Sequence, residues 1–462
     1  MSGIRNHIRG KYISVKGVWF TVLVTATIIL GMYANIFSYV AFAIAIMAIF
    51  VLSDDESLCF LTFIMSFASI FKSAPTAASF FTYLMAAYTV CALFRSKRIN
   101  WLFWTNFLFL ALFIALQMFM NSDLLRTLKF LVHVVFIYTA MDLKMTEGHE
   151  KVFLFYILGV IISSLIAAMD ILPNLQSYVE VKELDIKYGE GTRFTGLYAD
   201  PNYYTVNVII SLCLVLVLNY KGRLSALAAC VFGVLLVTFA ILTYSKSAFL
   251  MLILPAFMLL YSKVKSKNLL AFLLLLMVLG ILMIGVVTGQ IEAVEIVLRR
   301  FGSGDDVNAM TTNRFSIWGN YLEHLGKFGF GTFVGEGFGA TLLDEYAAHN
   351  TYLDMLYYLG IVGTVLFCNV LAAAHKCKET PKVRSLLNYS VWISVLALYF
   401  FLSELFYFDW SFHVLMAMLT SKTEMQQPIH LRPVMFMRQN HAINTFARQK
   451  YGKEARKNET AE

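Results

Sequence analysis

Apolar runs long enough to cross a lipid bilayer recur along this chain almost from end to end. Of its 462 residues, 59% are hydrophobic and 14% are charged, which excludes an ordinary soluble domain. Because backbone groups inside a bilayer must be paired within the chain, such runs form helices. The pattern predicts an all-α polytopic membrane protein with a bundle of about 14 transmembrane helices (about 12–14), at roughly twenty residues each. The predicted spans lie near residues 18–36, 37–53, 58–72, 78–94, 101–120, 124–140, 152–169, 203–219, 224–243, 245–261, 268–288, 348–374, 386–403 and 405–420.

Lysine and arginine placement orients these spans. With the N-terminus in the cytoplasm, most of the 37 lysines and arginines fall on the inner side, as the positive-inside rule requires. The net charge of +8 is therefore interpreted as membrane orientation, and no nucleic acid partner is expected. We expect a transmembrane domain over residues 1–420 and a basic cytoplasmic tail over 421–462, close to acidic lipids.

Isolated polar residues within the spans are interpreted as structural. None of the six cysteines falls in a predicted outer loop, so neither a disulfide framework nor a metal site is expected. His133 and His413 stand alone in apolar sequence and are predicted to be core residues. Asp123 and Arg126 are spaced to pair on one helix face at an outer end.

The two long polar segments, at about 170–202 and 289–347, both fall on the predicted outer face, where we expect the protein to work. Asp200 followed by Pro201 predicts a helix N-cap and a proline in the first turn. The spans starting near 203, 245 and 348 all point their N-termini outward. Lys246 opens the second of these, either as a snorkelling lysine or as a functional group.

If these three helix N-termini cluster, they form a site for an anion. Helix N-termini carry partial positive charge and unpaired N–H donors. Formal positive charge would come from Arg193, Lys246 and Arg314, with Arg299 or Arg300 as further candidates. The pocket would open at a membrane surface, and the chain has no nucleotide-binding motif. The anion is therefore expected to be part of a lipid.

A pentapeptide, His349–Leu353, begins where the second outer loop re-enters an apolar run. Shortly before it comes the glycine-rich segment Gly335–Gly339. Its glycines, Gly337 among them, would let the backbone approach a polar ligand, or they would form a plain turn; the sequence favours neither. Because no strand is predicted before this segment, a dinucleotide site is not indicated.

The polar groups favour a transfer reaction on a prenyl-diphosphate-linked sugar without a metal. Asp305 and Asp306 lie in a glycine- and serine-rich turn and are interpreted as a solvated loop. The first outer loop, residues 31–38, lacks the acidic motif of many metal-dependent transferases that use lipid-linked sugars. Arginines can neutralise a diphosphate leaving group on their own. An acceptor hydroxyl needs a base, and His349 at a helix N-terminus, where neutral imidazole is favoured, is the candidate.

Several motifs resemble the signature of the O-antigen ligase/polymerase superfamily. They are Arg314-x-x-x-Trp318, the glycine-rich segment, and His349-Asn-x-Tyr-Leu followed by Leu359-Gly-Ile-x-Gly. Further upstream, Arg193-x-Thr-Gly with Asp200-Pro-Asn, and Thr243-Tyr-Ser-Lys-Ser, resemble other motifs of the superfamily. The specific resemblance covers residues 193–202, 243–248 and 314–363, whereas similarity of topology covers most of the chain.

The resemblance implies a GT-C-like bundle and metal-independent transfer without a cofactor, at the periplasmic face of a bacterial inner membrane. Undecaprenyl-diphosphate-linked oligosaccharides would be both donor and acceptor. The family's diphosphate-binding arginines fall on Arg193 and Arg314, and its histidine falls on His349. The basic residue of its Ser-Arg motif falls on Lys246, which cannot make the bidentate contact of an arginine. The remaining substrate-binding candidates are Asn202, Arg299, Arg300, Gly337, Asn350 and Tyr352.

Among the superfamily's reactions, polymerisation of lipid-linked repeat units is preferred. The chain, with about fourteen predicted spans, is long for a ligase. A chain-length regulator protein would then be a partner. The alternatives are an O-antigen ligase that transfers glycan to lipid A-core, and a glycan-lipid flippase or transporter. A transporter would carry charges at mid-membrane depth, whereas here the charges collect at the outer helix ends.

Overall fold

A computed structural model describes residues 14–96, 99–119, 121, 123–143, 149–179, 193–198, 200–265, 314–341, 343, 348–377, 385–403 and 409–423. Within these residues all regular structure is helical. The principal helices are α1 (Val15–Gly31), α2 (Ile36–Val51), α3 (Asp54–Ile64), α4 (Phe80–Arg95), α5 (Trp101–Gln117), α6 (Leu124–Asp142), α7 (Glu150–Ala168), α8 (Pro201–Tyr220), α9 (Ala226–Leu242), α10 (Lys246–Lys265), α11 (Arg314–Gly326), α12 (Phe330–Val334), α13 (Thr351–Lys376), α14 (Ser390–Tyr399) and α15 (Trp410–Ser421).

Helices occupy all the predicted span positions that the structure describes; the span predicted at 268–288 lies outside the described residues. Four helices there are long and apolar enough to cross a bilayer, namely α6, α7, α8 and α13. Others are apolar but shorter, such as α2 at 16 residues. At 1.5 Å per residue such a helix reaches less than the roughly 30 Å of hydrocarbon. The all-helical class is confirmed, whereas a count of 14 transmembrane helices is not.

Helix α8 lies at the centre of the bundle. It packs against α7, α9, α10, α14 and α15 and is buried along almost its whole length. Its first turn is formed as predicted, because Asp200 accepts a hydrogen bond from the Asn202 N–H at 2.6 Å and Pro201 occupies the first turn. A helix that is covered on all sides holds its ends in fixed positions. The N-terminus of α8 is thus a rigid reference for the groups around it.

A polar network lies in the core against α8. His413 is fully buried, but its surroundings are not apolar as the sequence suggested, because Asp409 lies 3.6 Å away and Asn207 lies 3.2 Å away. Asn207 also accepts a hydrogen bond from the Tyr156 hydroxyl at 2.6 Å and donates to Asp409 at 3.0 Å. Since a polar group buried in a bundle needs partners, this network fixes how α7, α8 and α15 meet.

The second outer segment is more structured than a loop. It contains α11 and α12, followed by the glycine-rich turn that leads to α13. Helix α13 is broken at Gly360, whose φ of 64° and ψ of −177° are not helical. The break frees two carbonyls, which accept hydrogen bonds from the glycine-rich turn: Tyr357 from the Glu336 N–H at 2.8 Å and Tyr358 from the Gly337 N–H at 3.1 Å.

Candidate active site at the outward helix N-termini

Arg193 connects the N-terminus of α8 to the turn before α10. Its Nε donates to the Thr243 carbonyl at 3.0 Å, and its NH2 group donates to Asn202 Oδ1 at 3.3 Å. The same Asn202 oxygen accepts from the Ser245 hydroxyl at 2.8 Å. Asn202 therefore joins two of the three outward helix ends, and Arg193 is fixed beside it. Lys246, the first residue of α10 and partly buried, follows directly after Ser245.

The backbone segment 401–403, directly after α14, brings α8, α11 and α13 together. Its three consecutive carbonyls each accept a side-chain hydrogen bond from a different helix. Arg314 NH1 donates to Phe401 at 2.9 Å, the Thr351 hydroxyl donates to Leu402, and the Tyr203 hydroxyl donates to Ser403 at 3.0 Å. Arg314 and the first turns of α8 and α13 thus meet at one place.

Arg314 is a desolvated cation at this junction. Burial lowers the pKa of Arg314 from its ordinary value, while Asp200 and Tyr203 act electrostatically in the opposite direction. Within the described part of the chain, no carboxylate forms an ion pair with Arg314, and its guanidinium donates to the neutral carbonyl of Phe401. A guanidinium stays charged even when its pKa falls, so the site carries a positive charge that an anionic ligand would stabilise.

Trp318 connects α11, which contains Arg314, to the turn that contains His349. It lies one helical turn after Arg314, on the same face of α11. Its indole Nε1 donates to the carbonyl of Ala348 at 2.7 Å, and Ala348 is fully buried. The Arg-x-x-x-Trp spacing thus has a structural reason: it links the arginine to the residue immediately before the histidine.

His349 itself is half-buried and adopts a left-handed backbone conformation with φ of 47°. This conformation is uncommon for a residue with a side chain, and it persists where the surrounding structure fixes it. Here both neighbours are fixed: Ala348 by Trp318, and Asn350 by capping α13, because its Oδ1 accepts from the N–H groups of Tyr352 and Leu353 at 3.0 and 3.2 Å. The imidazole is held at the N-terminus of α13, where the predicted base would stand.

Asp354 was not singled out from the sequence. It lies one turn into α13, is 3% exposed, and its Oδ1 has no hydrogen-bond partner among the described residues. A carboxylate at the start of an apolar helix, one turn after His349-Asn350, was the signal in the sequence that could have identified it. It places a buried carboxyl group below the histidine turn.

The glycine-rich segment packs against broken α13. A Cβ on Gly335 would lie 2.4 Å from the Tyr358 carbonyl oxygen, and one on Gly360 would lie 2.4 Å from the Gly335 nitrogen. Because its N–H donates to Tyr358, Gly337 is part of this backbone contact rather than an open donor. Of the two interpretations that the sequence left open, the geometry favours the structural turn.

The remaining candidates either make structural contacts or lie outside the described residues. The Tyr352 hydroxyl donates to the Leu396 carbonyl at 2.7 Å, so this side chain joins α13 to α14. Arg126 pairs with Asp123 at 3.2 Å, as its spacing predicts. Arg299, Arg300 and the Asp305–Asp306 pair lie outside the described residues.

Comparison with known proteins identifies the region that contains His349, Arg314 and Lys246. Residues 231–368 match the Wzy_C family model, which is described as O-Antigen ligase. Arg193 lies upstream of this match. No curated protein and no solved structure matches the chain. The match covers less than half of the chain, and over residues 231–368 the protein is similar to the O-antigen ligase family.

Proposed function

We propose that the protein is a membrane glycosyltransferase that polymerises undecaprenyl-diphosphate-linked oligosaccharide repeat units at the periplasmic face. One observation carries this proposal most directly. The helix bearing desolvated Arg314 is bonded, through Trp318 and Ala348, to the turn bearing His349. A cation that forms no ion pair with a carboxylate among the described residues and an imidazole at a helix N-terminus are therefore presented together, at the end of a membrane helix.

The roles follow from the charges that form during transfer. The growing glycan is the donor and leaves its lipid diphosphate; the acceptor is a sugar hydroxyl on a new lipid-linked repeat unit. As the acceptor oxygen bonds to the anomeric carbon, the bond from that carbon to the phosphate oxygen breaks. His349 takes the hydroxyl proton. Arg314 and Arg193 stabilise the diphosphate that departs, and Lys246 adds a point charge beside them.

The first test uses cells that lack the native gene and express single variants. His349→Ala removes the base and Arg314→Ala removes the charge at the leaving group, so we expect both to insert normally and to lose long-chain polysaccharide. Single catalytic groups of this kind contribute about 100- to 10,000-fold in rate. The control is Gly319→Ala on the same outer helix, because nothing lies within 4 Å of the added Cβ. Normal long chains from the His349→Ala strain would remove the base assignment.

Ligation is the second candidate, because the matching family model is described as O-Antigen ligase. The two reactions share a donor and differ in the acceptor. A deletion strain separates them in a lipopolysaccharide-producing host. Cores capped with single repeat units indicate a lost polymerase, since ligation of unpolymerised units continues. Uncapped cores with accumulated lipid-linked long chains indicate a lost ligase.

A further inference from the structure

A cavity of about 460 Å³ lies between α13, α14 and α15. Helix α15 forms its floor with buried side chains such as Trp410, Val414 and Met418, and side chains of α13 and α14 form its walls. Neither Arg314 nor His349 lines this cavity. We call it the α13–α15 groove and treat it as a feature apart from the candidate active site.

The α13–α15 groove has the length of one lipid acyl chain. It is lined over residues 389–399 by α14 and the residue before it, and over residues 410–422 by α15. At 1.5 Å per residue these two stretches measure about 15 and 18 Å. The break at Gly360 divides α13, so this helix does not lengthen the groove as a single straight wall. One leaflet supplies about 15 Å of the roughly 30 Å hydrocarbon core, which an acyl chain fills.

The end of the groove near the start of α13 is not suited to a charged head group. The Thr351 hydroxyl there donates to the Leu402 carbonyl. The Tyr352 hydroxyl donates to the Leu396 carbonyl at 2.7 Å. Both hydroxyls are therefore engaged with backbone, and the surface that this end offers to a ligand is mainly apolar.

The opposite end of the groove is polar and basic. Lys422 lines it directly after the last turn of α15. His375 Nε2 and the Ser421 hydroxyl also line it and lie 2.9 Å apart. Lys376, which follows His375, is exposed. The distribution of lysine and arginine predicts that this end faces the cytoplasm, where the membrane surface is rich in anionic head groups.

We propose that the α13–α15 groove binds an anionic phospholipid of the inner leaflet, with one acyl chain between the three helices and its phosphate at Lys422 and the His375–Ser421 pair. Basic pockets between membrane helices on the cytoplasmic side bind such head groups. The order of groups, basic at the cytoplasmic end and apolar beyond it, matches a phospholipid of that leaflet. A zwitterionic lipid would fill the same length, but its ammonium group would offset the attraction to Lys422.

The head group, more than the acyl chain, determines which lipid binds. Moving an acyl chain from the bilayer into an apolar groove gains little hydrophobic free energy, because both surroundings exclude water. One lysine near the membrane surface favours an anionic lipid about fivefold. A lipid that binds only the folded protein raises its stability, so an occupied groove should hold α13, α14 and α15 together.

The first test measures thermal unfolding of purified, full-length protein in detergent. Dioleoylphosphatidylglycerol is the anionic lipid, and dioleoylphosphatidylcholine is the zwitterionic lipid with the same acyl chains. We expect phosphatidylglycerol to raise the melting temperature by about 2–4 °C more than phosphatidylcholine does. Equal melting temperatures with the two lipids would overturn the proposal. Turnover is not measured, so the result does not depend on the proposed function.

A lysine variant tests the head-group end. Lys422→Gln removes the charge that lines the groove, so the half-saturating concentration of phosphatidylglycerol should rise about fivefold, while the response to phosphatidylcholine should not change. Lys16→Gln is the matched control, because Lys16 is an exposed lysine at the predicted cytoplasmic end of α1. An undiminished preference for phosphatidylglycerol in Lys422→Gln would contradict the assignment of the phosphate to this end.

A tryptophan variant tests the acyl-chain part. Ala372→Trp fills the groove from α13 and should abolish most of the stabilisation by phosphatidylglycerol. Val365→Trp is the control, since Val365 is 53% exposed on the same helix and does not line the groove. If both variants respond to phosphatidylglycerol as the wild type does, the acyl chain does not lie in the groove.

Photo-labelling identifies the occupant directly. Wild-type protein in nanodiscs is irradiated with phosphatidylglycerol that carries a diazirine in one acyl chain, and labelled peptides are mapped by mass spectrometry. We expect labels on α13, α14 and α15 that excess phosphatidylglycerol removes and excess undecaprenyl phosphate does not. Removal by undecaprenyl phosphate alone would mean that a polyprenyl chain is the occupant, and absence of label from these helices would mean that no phospholipid enters; either result would overturn the proposal.

Discussion

The surroundings of Arg314 explain why an arginine, rather than a lysine, suits this position. Its neighbours desolvate it, and one of its N–H groups is fixed on the Phe401 carbonyl. A lysine at the same place would differ in two ways. It would lose the planar guanidinium that binds two phosphate oxygens at once, and burial would lower the pKa of its ammonium.

Arg314→Lys should therefore retain some activity and acquire a pH dependence. Losing a charge-assisted contact of about 1.5–3 kcal/mol predicts transfer about 10- to 100-fold slower than in the wild type. The ammonium is the useful form, so activity should fall as the pH rises through its lowered pKa. The measurement is kcat/KM against pH for both proteins. Parallel profiles would show that the charge at position 314 does not act on the leaving group.

At the residue scale, contacts between residues close in sequence were predictable, whereas contacts between distant residues were not. The cap at Asp200 and the pair of Asp123 with Arg126 follow from local spacing, so both were predictable. The hydrogen bond from Trp318 to Ala348 joins residues 30 positions apart, so it could be recognised only from the folded structure. Asp354 was overlooked because a single carboxylate in an apolar run is ordinary until the structure shows that its buried oxygen has no partner among the described residues.

The break in α13 is the main feature at the scale of elements. Gly360 has a positive φ and its Cα approaches the backbone of Phe333 and Gly335. The carbonyls that the break frees are taken by the glycine-rich turn and by the Gln117 side chain, which donates to Tyr358 at 3.0 Å. The break in α13 therefore lets α12 and the glycine-rich turn pack closely against the side of α13, below His349.

Gly360→Ala should destabilise the protein strongly. The added Cβ would lie 2.5 Å from the Phe333 carbonyl oxygen, and alanine is strained at this φ, so we expect a loss of about 3 kcal/mol or more. Gly319→Ala, in the open on α11, should be neutral or stabilise by about 0.5–1 kcal/mol. Thermal unfolding in detergent compares the two. Equal melting temperatures would mean that the break is not needed.

Helix positions were predictable because apolar runs, and the polar residues that separate them, are local properties of the sequence. The break was not, because Leu359-Gly360 lies in an apolar run that reads as continuous helix. Some helices, α1 among them, end earlier than predicted for a related reason. Apolar residues continue through turns such as the one between α1 and α2, so composition alone extends a span past the end of its helix.

At the scale of the whole molecule, the account requires α8, α10 and α13 to begin on the periplasmic side. Two exposed positions test this orientation. Phe328, between α11 and α12, is 71% exposed on the proposed outer side. Arg223, between α8 and α9, is exposed on the proposed inner side. In a variant without native cysteines, Phe328→Cys should react with a membrane-impermeant maleimide in intact spheroplasts, and Arg223→Cys should react only after lysis. The opposite pattern would place the candidate site in the cytoplasm.

The central claim is that the arginines and the histidine at these helix ends transfer glycan between lipid diphosphates. The most direct measurement uses purified protein in detergent, where nothing can be transported, with lipid-linked repeat units and EDTA. We predict a ladder of longer lipid-linked chains from the wild type and none from His349→Ala. An undiminished ladder from His349→Ala, or a wild-type ladder that EDTA abolishes and Mg²⁺ restores, would contradict the account.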